Sequence, residues 1–228
     1  SMLAHYTAFR KRRHDDAYTP GNRHGARPNR ACIVYTGLLR QAFPGLPVIL
    51  GGIEASLRRA TLYDFWTDKV RRSILLDSKA DLLIYGMGER AVLDAARRLE
   101  APEGGQASPG ILRGLPGTAF AVSSLSPLQE DGIVPEDPDL IRLPSHEAIL
   151  ADPQALMTAT LALERQVHQG FQWVVQASGA RQLVFAPPAA PWSSSGMNAL
   201  YALPFTRRPH PMYREPIPAA RMIQFSIT

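Results

Sequence analysis

Two short apolar runs in the first hundred residues each end at a pair of glycines. Residues 48–50 are followed by Gly51-Gly52, and residues 82–85 by Gly86-Met87-Gly88. A short apolar run bounded by glycine is typical of a buried strand in a parallel sheet, and the residues after each glycine pair favour a helix. The pattern therefore predicts a strand, a tight turn and a polar segment at both places.

Three sets of apolar residues recur at the spacing of an amphipathic helix. They are Ala31, Val34, Tyr35, Leu38 and Ala42; then Trp66, Val70 and Ile74; then Val92, Ala95, Ala96 and Leu99. Helices that alternate with strands in this way predict an α/β fold with a parallel sheet and right-handed crossovers. We interpret residues 1–100 as a Rossmann-like α/β domain.

Residues 101–144 are rich in proline and glycine, which break every periodic pattern. We interpret them as a linker or irregular excursion, with short strand candidates at 118–122 and 140–143. The third piece, residues 145–228, contains a helix that begins at Asp152-Pro153, an N-cap residue followed by proline. The apolar stripe of that helix is Leu156, Thr160, Leu163 and Val167.

The last forty or so residues predict little regular structure. We expect a strand at 183–186, extended chain over 187–218 and a final strand at 222–227. A strand that ends the chain without a partner suggests that the polypeptide continues in its natural context.

Composition sets outer limits on function. The chain has 228 residues, 45% of them hydrophobic, and a formal charge of +5. Its one cysteine, Cys32, excludes an intrachain disulfide, and no apolar run is long enough for a membrane helix. We expect a globular protein of the cytoplasm without a membrane partner, and the six scattered histidines show no metal-ligand spacing.

Several blocks of the chain resemble one protein family, in order along the sequence. In the first hundred residues they are Asp15-Asp16-Ala17-Tyr18-Thr19-Pro20-Gly21, Arg27-Pro28-Asn29-Arg30-Ala31, Gly51-Gly52-Ile53-Glu54-Ala55-Ser56-Leu57-Arg58-Arg59, Tyr63-Asp64-Phe65-Trp66, Lys69-Val70-Arg71-Arg72-Ser73, Asp77-Ser78-Lys79-Ala80-Asp81 and Tyr85-Gly86-Met87-Gly88-Glu89-Arg90. Later blocks are Pro187-Pro188-Ala189, Tyr201-Ala202-Leu203-Pro204-Phe205 and His210-Pro211. Together they resemble the YgiQ-type radical SAM proteins.

The resemblance implies that this chain is the N-terminal part of a longer enzyme. Such proteins look like a cobalamin-binding-like α/β domain placed before a radical SAM barrel. Their CxxxCxxC motif, which binds a [4Fe-4S] cluster and S-adenosylmethionine, would lie just past the position matching Thr228. On this resemblance residues 222–228 are the first barrel strand, and the missing barrel is the partner of this chain.

The chain departs from the family pattern in two regions. Ser194, Ser195 and Gly196 stand where an acidic pair is usual, and Leu62 replaces a histidine. The resemblance does not supply the substrate. One cysteine cannot bind the cluster, so we expect no catalytic residue, metal ligand or bound cofactor in this chain.

The two glycine turns are the candidate ligand site. Ligands of open α/β sheets bind outside the carboxyl ends of the strands, so residues after the two predicted strands should line a cleft. They are Gly51, Gly52, Glu54, Ser56, Arg58, Arg59, Gly86, Gly88, Glu89 and Arg90. The arginines would bind an anionic group, and the glutamates would orient them.

Other interpretations of the same residues stay open. The glycines can serve only a positive φ or close packing, and Glu54, Arg58 and Arg59 can form a surface ion-pair set. Cobalamin is disfavoured because no Asp-x-His-x-x-Gly motif occurs. The competing functional hypothesis is a non-catalytic module that binds an anionic nucleotide or RNA through its basic residues, including those of residues 10–13.

Overall fold

The computed structural model describes residues 5–100, 108–136 and 140–223. The chain divides into two compact units, one of residues 1–34 with 192–228 and the other Tyr35–Pro191. The divisions predicted at residues 100 and 144 stay predictions.

The described strands are β1 Ile49–Leu50, β2 Leu62–Asp64, β3 Lys69–Arg71, β4 Leu82–Ile84, β5 Thr118–Val122, β6 Leu140–Leu143, β7 Trp173–Ser178 and β8 Arg181–Phe185. The α-helices are α1 Ala31–Ala42, α2 Gly52–Leu57, α3 Ile74–Ser78, α4 Glu89–Glu100, α5 Ser126–Glu130, α6 His146–Ala151, α7 Pro153–Gln169, α8 Ser194–Tyr201 and α9 Pro218–Ile223. Short 3-10 helices lie at Pro20–Asn22 and Pro109–Leu112. Strands predicted at 48–50, 82–85, 118–122, 140–143 and 183–186 are confirmed to within about two residues at each end, whereas β7 was not predicted.

The larger unit is built on a six-stranded sheet in the order β1-β4-β5-β8-β7-β6. β1 and β4 pair in parallel, as do β6 and β7. The pairs β4–β5, β5–β8 and β7–β8 are antiparallel. The α/β class is therefore confirmed, but the sheet is mixed rather than parallel.

The connections explain why the parallel prediction fails beyond β4. The chain re-enters the sheet at Thr118, which pairs with Ile84 where β4 ends, so β5 must run the opposite way. β7 and β8 are joined by a tight turn at Gly179 (φ +57°), which makes them a hairpin.

The central strands are buried on both faces. Leu82, Ile84, Phe120, Val122 and Val184 belong to one apolar cluster, while Leu83 and Phe185 are also fully covered. Burial on both faces accounts for the uninterrupted apolar runs that revealed β4 and β8 in the sequence.

The predicted helix through Trp66, Val70 and Ile74 is wrong. Residues 62–71 form the antiparallel hairpin β2–β3, and only Ile74 lies in a helix. The carboxylate of Asp64 accepts hydrogen bonds from the Trp66 amide (3.2 Å), the Thr67 hydroxyl (2.8 Å) and the Arg71 guanidinium (2.8 Å). These bonds stabilise the turn, so the helical spacing of the three apolar residues is coincidental.

Helix α4 forms as predicted, and its predicted inner face is confirmed at Ala95 and Leu99 but not at Val92 and Ala96. Ala91 and Ala95 are buried, whereas Val92 is 56% exposed and Ala96 is also exposed. Leu99 packs against the core as expected.

The cap of α7 is confirmed, because the Asp152 carboxylate accepts a hydrogen bond from the Gln154 amide at 2.9 Å. Its buried residues are Ala159 and Gln166, one position before the predicted Thr160 and Val167, which are exposed. The Gln166 amide nitrogen lies within 3.0 to 3.4 Å of the carbonyl oxygens of Gln172, Phe185 and Ala186. A buried polar residue at a core position carries no apolar signal, so the pattern missed it.

The smaller unit contains helices where extended chain was predicted. α8 lies inside the expected extended segment 187–218, capped by the Ser193 hydroxyl, which accepts from the Gly196 amide at 3.2 Å. Met222 and Ile223 end α9, so the predicted strand is wrong for them, and residues 224–227 lie outside the described residues.

An ion pair with a buried carboxylate lies in this unit. The guanidinium of Arg27 donates hydrogen bonds of 2.9 and 2.8 Å to the carboxylate of Asp16, which His5 also contacts at 3.3 Å. Burial opposes ionisation of Asp16, but the hydrogen bonds from Arg27 and from the Tyr18 amide, with the charges of Arg27 and His5, together outweigh it and lower the pKa of the carboxyl.

Candidate ligand site beside the glycine turns

The two glycine turns lie side by side. β1 and β4 pair in parallel in the register Ile49–Leu82, so both strands end at the same edge of the sheet. The Gly86 amide donates to the Ser56 hydroxyl at 3.4 Å, which links the second turn to helix α2 of the first. The structure thus brings the two predicted segments together.

The glycines serve different purposes. Gly52 and Gly86 have φ of +81° and +69°, values that favour glycine, and a Cβ at either would meet nothing within 4 Å. Gly51 is extended and its surroundings are equally open. A Cβ at Gly88 would lie 2.9 Å from a methyl group of Ile84, so this glycine is required for packing.

Arg58 faces the interior rather than the cleft. It is 8% exposed and contacts the carboxylates of Glu54 (3.5 Å) and Asp77 (3.7 Å). Glu54 and Arg58 stand four residues apart on α2 and its C-cap, a spacing that could have revealed this pair in the sequence. Glu54 therefore orients Arg58, as expected, but within the fold.

Arg59 has a hydrogen-bond donor that no described residue satisfies. Its Nη1 donates to the Ser56 carbonyl oxygen at 2.7 Å, whereas its Nε is buried with no hydrogen-bond partner in the described ranges. The guanidinium lies 5.0 Å from the centroid of the Tyr85 ring. Burial lowers the pKa of Arg59, with opposing contributions from Tyr85 and Glu164, but a guanidinium remains protonated in proteins.

Tyr85 is a site residue that sequence reasoning missed, although it precedes the second glycine pair. Its ring is buried and its hydroxyl donates to the Ala186 carbonyl oxygen. Burial raises the pKa of Tyr85, so the hydroxyl stays protonated. The ring is thus a fixed surface beneath Arg59.

A cavity of about 260 Å³ opens beside Arg59. Its lining comes from residues 57–63, which follow α2, and from one face of α7: Leu57, Arg59, Ala60, Thr61, Leu62, Tyr63, Leu156, Thr160, Leu163 and Glu164. The Glu164 side chain is mostly exposed and lies 3.7 Å from His168. We call this space the Arg59 cavity. Arg59 is one of its lining residues, so a small anionic group in the cavity would lie near the guanidinium.

Glu89 and Arg90 lie apart from these contacts. Glu89 is exposed in the first turn of α4 and forms no ion pair within the described part of the chain. Arg90 donates to the Pro191 carbonyl oxygen at 3.5 Å. The expected role of Glu89 in orienting an arginine therefore stays a prediction.

The chain does not supply the ligands of an iron–sulfur cluster. Three thiolates are needed, and Cys32 is the single cysteine. Across the described ranges no three His, Cys, Asp or Glu side chains come together as a metal site. In the same ranges, no helix has the length and apolar character needed to cross a membrane.

Comparison with known protein families decides the relationship. The family model described as Radical SAM N-terminal matches residues 1–226. The chain belongs to this family. The resemblance to YgiQ-type proteins is thereby confirmed, since the similar curated proteins are UPF0313 proteins of that type.

The relatives are considerably longer than this chain. It is 49% identical to a UPF0313 protein of Geobacter sulfurreducens over 100% of its own length and 36% of the relative's. UPF0313 proteins of Methanocella arvoryzae and Thermotoga neapolitana are 41% and 42% identical, again over 100% of this chain, which spans 36% and 38% of them. No solved structure matches the chain.

Proposed function

We propose that this chain is the N-terminal accessory region of a radical SAM iron–sulfur enzyme. Membership of the Radical SAM N-terminal family supports it, as does the additional length of the relatives. The [4Fe-4S] cluster and S-adenosylmethionine, which supply radical chemistry, would be bound by a C-terminal barrel of the same polypeptide. Because one cysteine cannot replace three, the residues of this chain do not bind that cluster by themselves.

The role of the chain in that enzyme is to bind an anionic group in the Arg59 cavity. The observation that carries this proposal is the Arg59 guanidinium at the wall of an open cavity, held 5.0 Å from the centroid of the Tyr85 ring. Its Nε is buried without a hydrogen-bond partner among the described residues, which costs about 1–3 kcal/mol, and a side-chain movement that brought this donor to a ligand oxygen would remove that cost. Carboxylate and phosphate oxygens suit a guanidinium best. A corrinoid is not proposed, because the chain has no lower-ligand histidine motif.

Iron–sulfur reconstitution tests the first part of the proposal, that the longer polypeptide is an iron–sulfur enzyme. The natural polypeptide extended through its barrel and the chain of residues 1–228 are each incubated with iron and sulfide under reducing conditions. We expect a brown cluster with matching iron and sulfide content in the longer protein and none in residues 1–228. A longer protein that binds no cluster would contradict the enzyme assignment.

The competing function, a module for anionic nucleotide or RNA, gives a different result. It is favoured by the formal charge of +5. In that case residues 1–228 alone should bind single-stranded RNA with an affinity that falls steeply with salt. Weak RNA binding together with a cluster in the longer protein would select the enzyme.

A further inference from the structure

A second cavity lies at the opposite end of β4 from the glycine turns. It occupies about 550 Å³ and is lined where β4 begins, β5 and β7 end, and β8 begins. Its cationic lining residues are Arg72, Lys79, Arg113 and Arg181. We call it the basic cleft. Its volume is that of a small-molecule site.

The positive charge of the basic cleft is mostly uncompensated. Lys79, Arg113 and Arg181 form no ion pair with any described residue, and Arg72 alone is paired, with Asp77 at 2.8 Å. The one acidic lining residue, Asp81, already accepts from the Arg40 guanidinium at 2.9 Å and the Val48 amide at 2.8 Å. Three of the four cations of the cleft therefore have no ion-pair partner among the described residues.

Backbone hydrogen bonds hold the main chain of Lys79 and Arg113 in place beside the cleft. Lys79 has a φ of +60° at the end of α3, its amide donates to the Leu75 carbonyl and its own carbonyl accepts from Arg40. The Arg113 carbonyl accepts from Arg98 at 2.8 Å. The Arg181 guanidinium donates to the Ala121 carbonyl at 3.1 Å, which anchors that side chain at the cleft.

The cleft combines apolar and cationic lining. Leu75, Leu76, Pro109 and Phe120 supply apolar lining. Arg113 and Arg181 also line an adjoining cavity of about 260 Å³, which contains Ser123 and Ser124. The two arginines thus line both cavities. A molecule with an apolar ring and phosphate groups would match this combination of apolar and cationic lining.

We propose that the basic cleft binds a phosphorylated small molecule of nucleotide size. Arg113 and Arg181 bind its phosphate oxygens by charge-assisted hydrogen bonds, Lys79 adds a third cation, and the apolar lining covers its ring. This ligand is separate from the anionic group proposed for the Arg59 cavity, so either proposal can fail alone.

Calorimetric titration of residues 1–228 tests the proposal. The probes are ADP, adenosine and inorganic diphosphate. We expect ADP to bind most tightly, since only ADP uses both linings. Arg113→Gln with Arg181→Gln should weaken ADP binding at least about tenfold, because it removes charge-assisted hydrogen bonds.

The matched control is Arg97→Gln with Arg165→Gln, which removes the same formal charge from exposed helical positions. It should leave ADP binding within about twofold of the natural chain. All four arginines are exposed, so circular dichroism should show both double variants folded. The proposal is overturned if ADP does not bind saturably, if the control loses as much affinity, or if a twelve-nucleotide RNA binds tenfold tighter than ADP.

Discussion

The guanidinium of Arg59 lies 5.0 Å from the centroid of the Tyr85 ring, and the hydroxyl of that ring donates to the Ala186 carbonyl oxygen. Arg59 follows the first glycine turn and Tyr85 precedes the second, so this contact joins the two segments. It also holds a guanidinium with a buried, unpartnered Nε, within the described residues, at the wall of a cavity.

Tyr85→Phe keeps the ring but removes the hydroxyl. We expect the free energy of unfolding to fall by about 1 kcal/mol, because one buried hydrogen bond is lost while Gln166 still donates to the Ala186 carbonyl oxygen. Tyr85→Leu should cost more, since it also removes the surface beneath Arg59. Urea denaturation measures both. Equal stability of Tyr85→Phe and Tyr85→Leu would argue against a supporting role for the ring.

The glycine turns can be tested one residue at a time. Gly52→Ala and Gly86→Ala should each lower the free energy of unfolding by about 1–2 kcal/mol, because alanine is strained at positive φ. Gly51→Ala is the control, as its backbone is extended and its surroundings are open. If all three variants have the same denaturation midpoint, the backbone account of these glycines is wrong.

Much of the fold could be predicted where the signal was local. The start of α7 was predicted because Asp152 and Pro153 are adjacent, and β4 because burial on both faces makes its run apolar. The β2–β3 hairpin could not be predicted in this way, because it depends on a contact between Asp64 and Arg71, which lie seven residues apart. The antiparallel return at β5 likewise depends on where the chain re-enters the sheet.

The candidate site shows the same division. The sequence placed both glycine turns at one edge, because parallel strands end together. It could not separate Arg58 from Arg59, adjacent residues of the same type. Only packing shows that Arg58 lies against Glu54 and Asp77 while Arg59 lies over Tyr85.

The ion pair of Asp16 should make the free energy of unfolding depend on pH in the acidic range. The pKa of Asp16 in the folded protein is below its ordinary value of 3.8. The contribution of the ionised carboxylate to the free energy of unfolding is therefore fully present above pH 3.8 and is lost as the pH falls through the lowered pKa. Asp16→Asn should remove this part of the acid sensitivity. The measurement is urea unfolding from neutral pH to about pH 3, a range that brackets an ordinary carboxyl pKa.

Asp15→Asn is the matched control, because Asp15 is adjacent but exposed. It should leave the slope of stability against pH unchanged. If both variants behave alike, the bonds from Arg27 do not explain the acid dependence.

Glu164 lines the Arg59 cavity and carries the same sign of charge as the proposed ligand. Glu164→Gln should therefore strengthen sulfate binding at Arg59. The gain should be only about twofold, because the Glu164 side chain is mostly exposed and its charge is screened by solvent. Glu130→Gln, on α5, is the control and should change nothing. Weaker binding in Glu164→Gln would show that the carboxylate assists the ligand instead.

The most direct test of the central claim is a nuclear magnetic resonance titration of the 15N-labelled chain with sodium sulfate, following the arginine Nε–H signals. The account predicts a saturable shift of the Arg59 signal, which Arg59→Lys identifies by removing it from the spectrum, while the signal of Arg97 changes only in proportion to salt. An Arg59 signal that never saturates, or that moves no more than that of Arg97, would contradict it.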